Sequence, residues 1–254
     1  MKPLFGLLFL TAALTAQVSA PRAGWARFLD GVHAVKGLPA NLLVSDALVT
    51  RANSVSFSDS GGLVSRTGKI DLVDANAQLI ATFASDEAAP VLNMDGALTT
   101  AIAWLPSSHS ILYWNGKDFA HAEANLVGEV TGIQVIEPDK ARLLIRQTNG
   151  SVAAVVVSLK TGLVVDSQIL PGVAGRATAQ HSFLVAVDSK TLIIESANGW
   201  RRVLPIAAGD LTIERMSSDW LHIFSASSGE HWALHLTESD LQLSQLPPAR
   251  ETAQ

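Results

Sequence analysis

Four carboxylates, Asp46, Asp95, Glu129 and Asp210, each stand just before a segment that reads as the opening strand of a repeat. Gathered at one mouth of a channel, two of them could divide the work of cleaving a glycosidic bond. That chemistry needs one carboxyl kept protonated and another ionised at a defined separation. The same ring of oxygens could bind calcium. Asp and Glu are also favoured in solvated turns, which accounts for all four without a ligand. The spacing fixes neither distance nor ionisation, so no catalytic residue and no ligand-binding residue is assigned.

The seven histidines offer no better centre. His231 and His235 look like a metal pair, but four residues along a strand separate them by about 13 Å. His121 and Glu123, two apart on one strand face, are about 6.6 Å apart and supply only two ligands. They read instead as solvated polar positions on an outer strand, and no metal or other cofactor is expected. Of the six tryptophans, Trp104, Trp220 and Trp232 lie in apolar segments and read as core. Trp25 and Trp200, the latter followed by Arg201 and Arg202, are the candidates for stacking on a sugar or anchoring a partner. The chain has no HExxH, no GxSxG, no phosphate-cradling glycine loop and no EF-hand loop.

Composition narrows the classes further. With no cysteine, the chain forms no disulfide, has no thiol nucleophile and cannot be lipid-anchored through an N-terminal cysteine. Eighteen Lys and Arg against 23 Asp and Glu argue against nucleic acid or an anionic membrane as the main partner. The N-terminus reads as a secretory signal peptide over 1–20. Lys2 supplies the positive charge, Leu4 to Ala16 is apolar and uncharged, and small residues follow. Cleavage is expected after Ala20 or after Ala16. The apolar run is too short to span a bilayer, which takes about 20 residues, so no membrane insertion is expected once the signal is removed. The expected location is periplasmic or extracellular.

The elements that must position these residues are strands. Short runs rich in Val, Ile, Leu and Thr alternate with Gly, Asn, Asp, Ser and Pro clusters, an all-β signature. Only Ala23 to Asp30, and one turn at Asp86 to Ala89, read as helical. Hairpin turns recur at Thr67-Gly68-Lys69, Asn115-Gly116-Lys117, Asn149-Gly150-Ser151, Asp188-Ser189-Lys190 and Ser228-Gly229-Glu230. The markers Gly68, Gly116, Gly150, Ser189 and Gly229 stand 48, 34, 39 and 40 residues apart. A second series of turns precedes them: Ser58 to Gly62, Pro106 to His109, Glu137 to Lys140, Ala179 to His181 and Ser217 to Asp219. The third unit is the plainest, with strands at Gly132 to Ile136, Ala141 to Gln147, Ser151 to Leu159 and Leu163 to Leu170. Its run Val152 to Val157 is apolar on successive residues and needs cover on both faces. Leu241 to Ser244 alternates as an outer strand does.

Residues 53–84, which include SVSFSDSGG, LVSRTGK, IDLVDANAQ and LIATFA, resemble one blade of a WD40-like or YVTN-like β-propeller, and residues 129–170 are similar. No blade carries the Gly-His or Trp-Asp dipeptides of true WD40 repeats, so the resemblance is to a divergent propeller and transfers no functional residue. It implies four-stranded blades around a channel, with binding faces made of loops. The five markers predict about five blades over 46–250. Six is the alternative, because 31–48 could supply further strands. The N-terminal arm, 21–45, is expected to complete the last blade and so remove exposed edges. A β-sandwich is the competing architecture. The expected function is an exported, non-catalytic binding or protein-interaction domain for an unknown protein or glycan. A secreted carbohydrate-active hydrolase or lyase is the alternative.

Overall fold

The computed structural model describes residues 20–96, 100–188, 191–206 and 210–248. The expected signal peptide and both its cleavage points fall almost wholly outside the described residues; Ala20 is the first described and is exposed. Every strand pairs antiparallel with its sequence neighbour, giving six sheets. The first blade has three strands, β1 (Arg22–Arg27), β2 (Gly31–Leu38) and β3 (Asn41–Thr50). The second holds β4 (Ser54–Ser58), β5 (Gly61–Arg66), β6 (Lys69–Asp74) and β7 (Leu79–Ala84). The third holds β8 (Val91–Met94), β9 (Ala101–Leu105), β10 (Ser110–Trp114) and β11 (Phe119–Glu123). The fourth holds β12 (Glu129–Glu137), β13 (Lys140–Arg146), β14 (Ser151–Ser158) and β15 (Val164–Ala174). The fifth holds β16 (Arg176–Gln180), β17 (Phe183–Val187), β18 (Thr191–Ser196) and β19 (Arg201–Pro205). The sixth holds β20 (Leu211–Arg215), β21 (Trp220–Ser225), β22 (His231–Leu236) and β23 (Leu241–Gln245).

The apolar core is divided among the seams between blades. Trp25 and Val32 meet Phe57 and Val64 between blades one and two. Leu72 meets Met94 and Leu112 at the next seam, and Ile111 meets Leu143 and Val155 at the third. Leu144 packs with Ala186, and Ile194 with Ile223. Finally Met216 and Trp220 of blade six meet Ala26 and Val35 of blade one. A seam between the last blade and the first closes the ring, which a sandwich cannot do. Middle strands are covered by a neighbour on each side, so β9 is buried at all five positions. Outer strands face solvent on one side, and β7 alternates accordingly.

Three of the five hairpin markers, Gly68, Gly150 and Gly229, join second to third strands, and the marker Ser189, with Lys190, lies outside the described residues. Asn115-Gly116-Lys117 instead joins β10 to β11, the third to the fourth. Its Asn115 side chain accepts the amide hydrogens of Lys117 and Asp118, and Gly116 supplies φ +94°, so it is a sound hairpin one connection too late. The equivalent turn is Pro106 to His109. With Ser108 as the marker, the separations become 40, 42, 39 and 40 residues.

Three expectations are corrected. Residues 23–27, read as helical, form β1, because Ala23, Trp25 and Ala26 are buried between blades six and two. Asp86 to Ala89 forms no helical turn. The arm pairs with itself to make the first blade, while blade six draws all its strands from 211–245. Among the described residues, the three strands of blade one hold the second to fourth positions. Ala23 faces Ser217, Trp25 faces Met216 and Arg27 faces Glu214, so β1 runs opposite to β20. The channel is therefore ringed by five first strands, β4, β8, β12, β16 and β20, and β20 meets β4 directly.

Candidate functional site

The five inner strands run in one direction, giving a lower face where they begin and an upper face where they end. Glu129 opens β12 on the lower face and pairs with Arg146 and with Arg176, the latter at 3.0 Å. Asp210, also lower, is exposed. Asp95 follows β8 on the upper face, 3.1 Å from Arg215. Asp46 lies on β3, an outer strand, and points to solvent. The four carboxylates therefore do not converge. Asp95 and Glu129 sit at opposite ends of the channel, and each is occupied by arginine.

The histidines also separate. His231 Nδ1 lies 2.8 Å from Nε2 of His222, one ring donating and the other accepting. His235 Nδ1 lies 3.0 Å from Asp240 Oδ2. His121 and Glu123 are exposed on the outer strand β11. Among the described residues no cluster of three or more His, Asp or Glu is arranged to hold a metal.

Trp104, Trp220 and Trp232 are buried, in keeping with their apolar segments, and so is Trp25, which packs on Phe57 at 5.8 Å. Trp200 is the exception among the five, 43% exposed. It follows the turn between β18 and β19, where Gly199 has φ +80° and Ser196 exchanges backbone hydrogen bonds across the turn. Phe183 stands at 74° to the indole, ring centres 6.3 Å apart, and packs against it. Trp200 lines a cleft of about 490 Å³ between blades five and six, on the upper face, together with Asn198, Arg202, Glu238 and Asp240. That volume lies within the roughly 300–1,000 Å³ of small-ligand sites. Asp240 is held by His235, by the Gln242 amide and by its own turn with Thr237. His235 in turn rests on Trp220, ring centres 4.6 Å apart. The cleft thus presents a flat apolar ring beside a guanidinium, two carboxylates and an amide. Such a set can stack on the C–H face of a sugar ring and hydrogen-bond its hydroxyls.

The sequence marked Trp200 through its isolation beside a turn, and Arg202 through adjacency. Glu238 and Asp240 carried no signal, because only the ring brings the third-to-fourth-strand turns of blades five and six together.

No protein-family profile and no curated protein sequence matches the chain. Solved structures do resemble it. One is a mutant of the Aleuria aurantia lectin in complex with alpha-methyl-L-fucoside, 12% identical with a TM-score of 0.57, covering 90% of this chain and 91% of the lectin. Another is PorZ, a bacterial surface component of the type-IX secretion system of Porphyromonas gingivalis, 15% identical with a TM-score of 0.52. The likeness covers 92% of this chain, which spans only 38% of PorZ. The Cps50 (Swd1) β-propeller domain of Myceliophteria thermophila is 10% identical over 89% of this chain and 84% of its own, with a TM-score of 0.47. At these identities the likeness is one of fold alone, and that fold is the six-bladed β-propeller.

Proposed function

We propose that this chain is an exported, non-catalytic binding propeller that takes a glycan in the Trp200 cleft. The observation that carries the reading is a 43% exposed indole held in place among Arg202, Glu238 and Asp240. The alpha-methyl-L-fucoside held by the Aleuria aurantia lectin is consistent with it, as a ligand of that protein. Support for export lies in the sequence, in Lys2 followed by the apolar run Leu4 to Ala16. Periplasm and extracellular space are both compatible with it.

A glycan array probed with the purified chain, followed by calorimetric titration of the best ligand, tests the reading. Binding lost in Trp200→Ala is the expected result, and an array without reproducible hits overturns it. Hydrolysis of a polysaccharide that disappears in Asp95→Asn or Glu129→Gln would establish the enzyme alternative instead. Export is tested by removing residues 2–16, which should leave the protein in the cytoplasm.

A protein ligand is the second reading, favoured by β15. This outer strand of blade four exposes Val164, Val165 and Ile169 along an unpaired edge. An edge of that kind can accept a further strand.

A further inference from the structure

The Trp200 cleft continues past the blade that carries it. On the other side of blade five, between blades four and five, lies a second cleft of about 390 Å³, and the two share Ser182, Phe183 and Ser196 as lining. These residues form the upper end of blade five: Ser182 ends the exposed turn between β16 and β17, and Ser196 ends β18. Both clefts therefore open on the upper face, one on each side of a single sheet. Stacked sheets lie about 10 Å apart, so the clefts are separated by about that distance, too far for one sugar ring and within reach of a chain.

One wall of the second cleft is a face of blade four, and strand register places its polar groups. Arg142, Val156 and Asp166 are partners across β13, β14 and β15, and Leu144, Ala154 and Gln168 form the next row. All six line the cleft. Adjacent strands lie about 4.8 Å apart, so the Arg142 and Asp166 backbones stand about 10 Å apart on either side of Val156. Arg142, Asp166 and Gln168 are exposed. Asp166 accepts only the amide hydrogen of Ser167, and the side chains of Arg142 and Gln168 make no hydrogen bond or ion pair among the described residues. Nearer the lower face, Arg201 of blade five donates to the Gly172 carbonyl of β15 at 2.6 Å, which ties the two walls together.

The two clefts divide the contacts that a glycan needs. The first supplies an indole for stacking. The second has no exposed Trp, Tyr or Phe and supplies an uncommitted guanidinium, carboxylate and amide for hydroxyl groups. Across both, Arg142 and Arg202 stand among four carboxylates, Asp166, Glu195, Glu238 and Asp240, an excess of negative charge that disfavours an acidic polysaccharide. We infer, building on the glycan reading of the Trp200 cleft, that the upper face carries one groove running over blade five. Its occupant is a non-acidic oligosaccharide, one ring stacked on Trp200 and the chain continuing to Arg142, Asp166 and Gln168.

Calorimetric titration of the full chain with cello-, manno- and N-acetylchito-oligosaccharides, each as monosaccharide and tetrasaccharide, tests it, with tetragalacturonate as the acidic comparison. In at least one series the tetrasaccharide should bind about tenfold or more tightly than its monosaccharide, and tetragalacturonate should bind more weakly than that tetrasaccharide. Arg142→Ala and Gln168→Ala, changes at exposed positions that should leave the melting temperature in place, should remove most of the gain with length and spare the monosaccharide. Trp200→Ala should weaken both lengths. Equal affinity for the two lengths overturns the groove and leaves the Trp200 cleft standing as a single-sugar site. A gain with length that survives both substitutions, or tetragalacturonate bound as tightly as the best neutral chain, also overturns the groove. So does absence of binding at either length, and the glycan array then decides the cleft separately.

Discussion

Trp200 owes its exposure to the turn before it and rests against Phe183, so it is held in place without being packed away. Trp200→Ala should therefore cost little stability, about 0.5 kcal/mol or less, while abolishing glycan binding; thermal melting beside titration separates the two effects. Asp71 shows the opposite bargain between burial and charge. It is fully buried, with Arg66 and Lys69 at 2.7 and 3.1 Å and the Thr82 hydroxyl donating at 2.7 Å. Asp71→Ala would strand the inward ends of two cations, and a loss of about 3 kcal/mol is expected in urea unfolding. That is the low end for a broken buried pair, because both partners are about a third exposed and can rehydrate. His231 supplies a pH dependence. Burial first, then the neighbouring His222, Arg27 and His33, lowers its pKa to about 4, and burial lowers that of His222 as well. Glu214 and the Asp30 paired with His33 are the acids on this side. An unfolded histidine takes its proton near pH 6.5. Between about pH 6.5 and 4 the unfolded chain therefore binds more protons than the folded one, and acid destabilises the fold. The melting temperature should fall through that window, and His231→Asn should flatten part of the fall.

At the scale of elements, the inner strands approach so closely that side chains must sometimes be absent. A Cβ on Gly132 of β12 would lie 2.5 Å from the Ala177 carbonyl oxygen of β16. Gly132→Val should force blades four and five apart and destabilise the protein by several kcal/mol, visible as a lower urea midpoint. The strands themselves were legible in the sequence. Blade four was readable almost residue by residue, since β13 and β14 fall at Lys140–Arg146 and Ser151–Ser158 and their turns carry Asp139 and Gly150. Blade three misled because Asn115-Gly116 is a stronger hairpin signal than Pro106 to His109, whose positive φ falls on His109. Residues 22–27 misled because strand burial between two blades imposes no alternation, and a short apolar run does not distinguish strand from helix. The Arg215 and Glu214 contacts were invisible, for they depend on partners 120 to 187 residues away.

For the whole molecule, closure rests on contacts between distant parts of the chain. Glu214 binds Arg27 of blade one and the Val55 amide of blade two, tying three blades together. Removing residues 20–50 would bare Met216, Trp220, Val55 and Phe57 at once, so the shortened protein should self-associate on size exclusion and lose its cooperative melt. The three described strands of blade one have a consequence for how the protein can be held. With four strands in every blade, the described chain would start and finish on the lower face. With three strands in the first, Arg22 lies on the upper face, the side of the Trp200 cleft, and Gln245 on the lower. A tether attached ahead of residue 20 would hang from the cleft side and crowd a large glycan, whereas one attached beyond residue 248 would leave the cleft pointing away from its support. Immobilising the protein by one end or the other should therefore give different capacities for polymeric ligands and equal capacities for small ones.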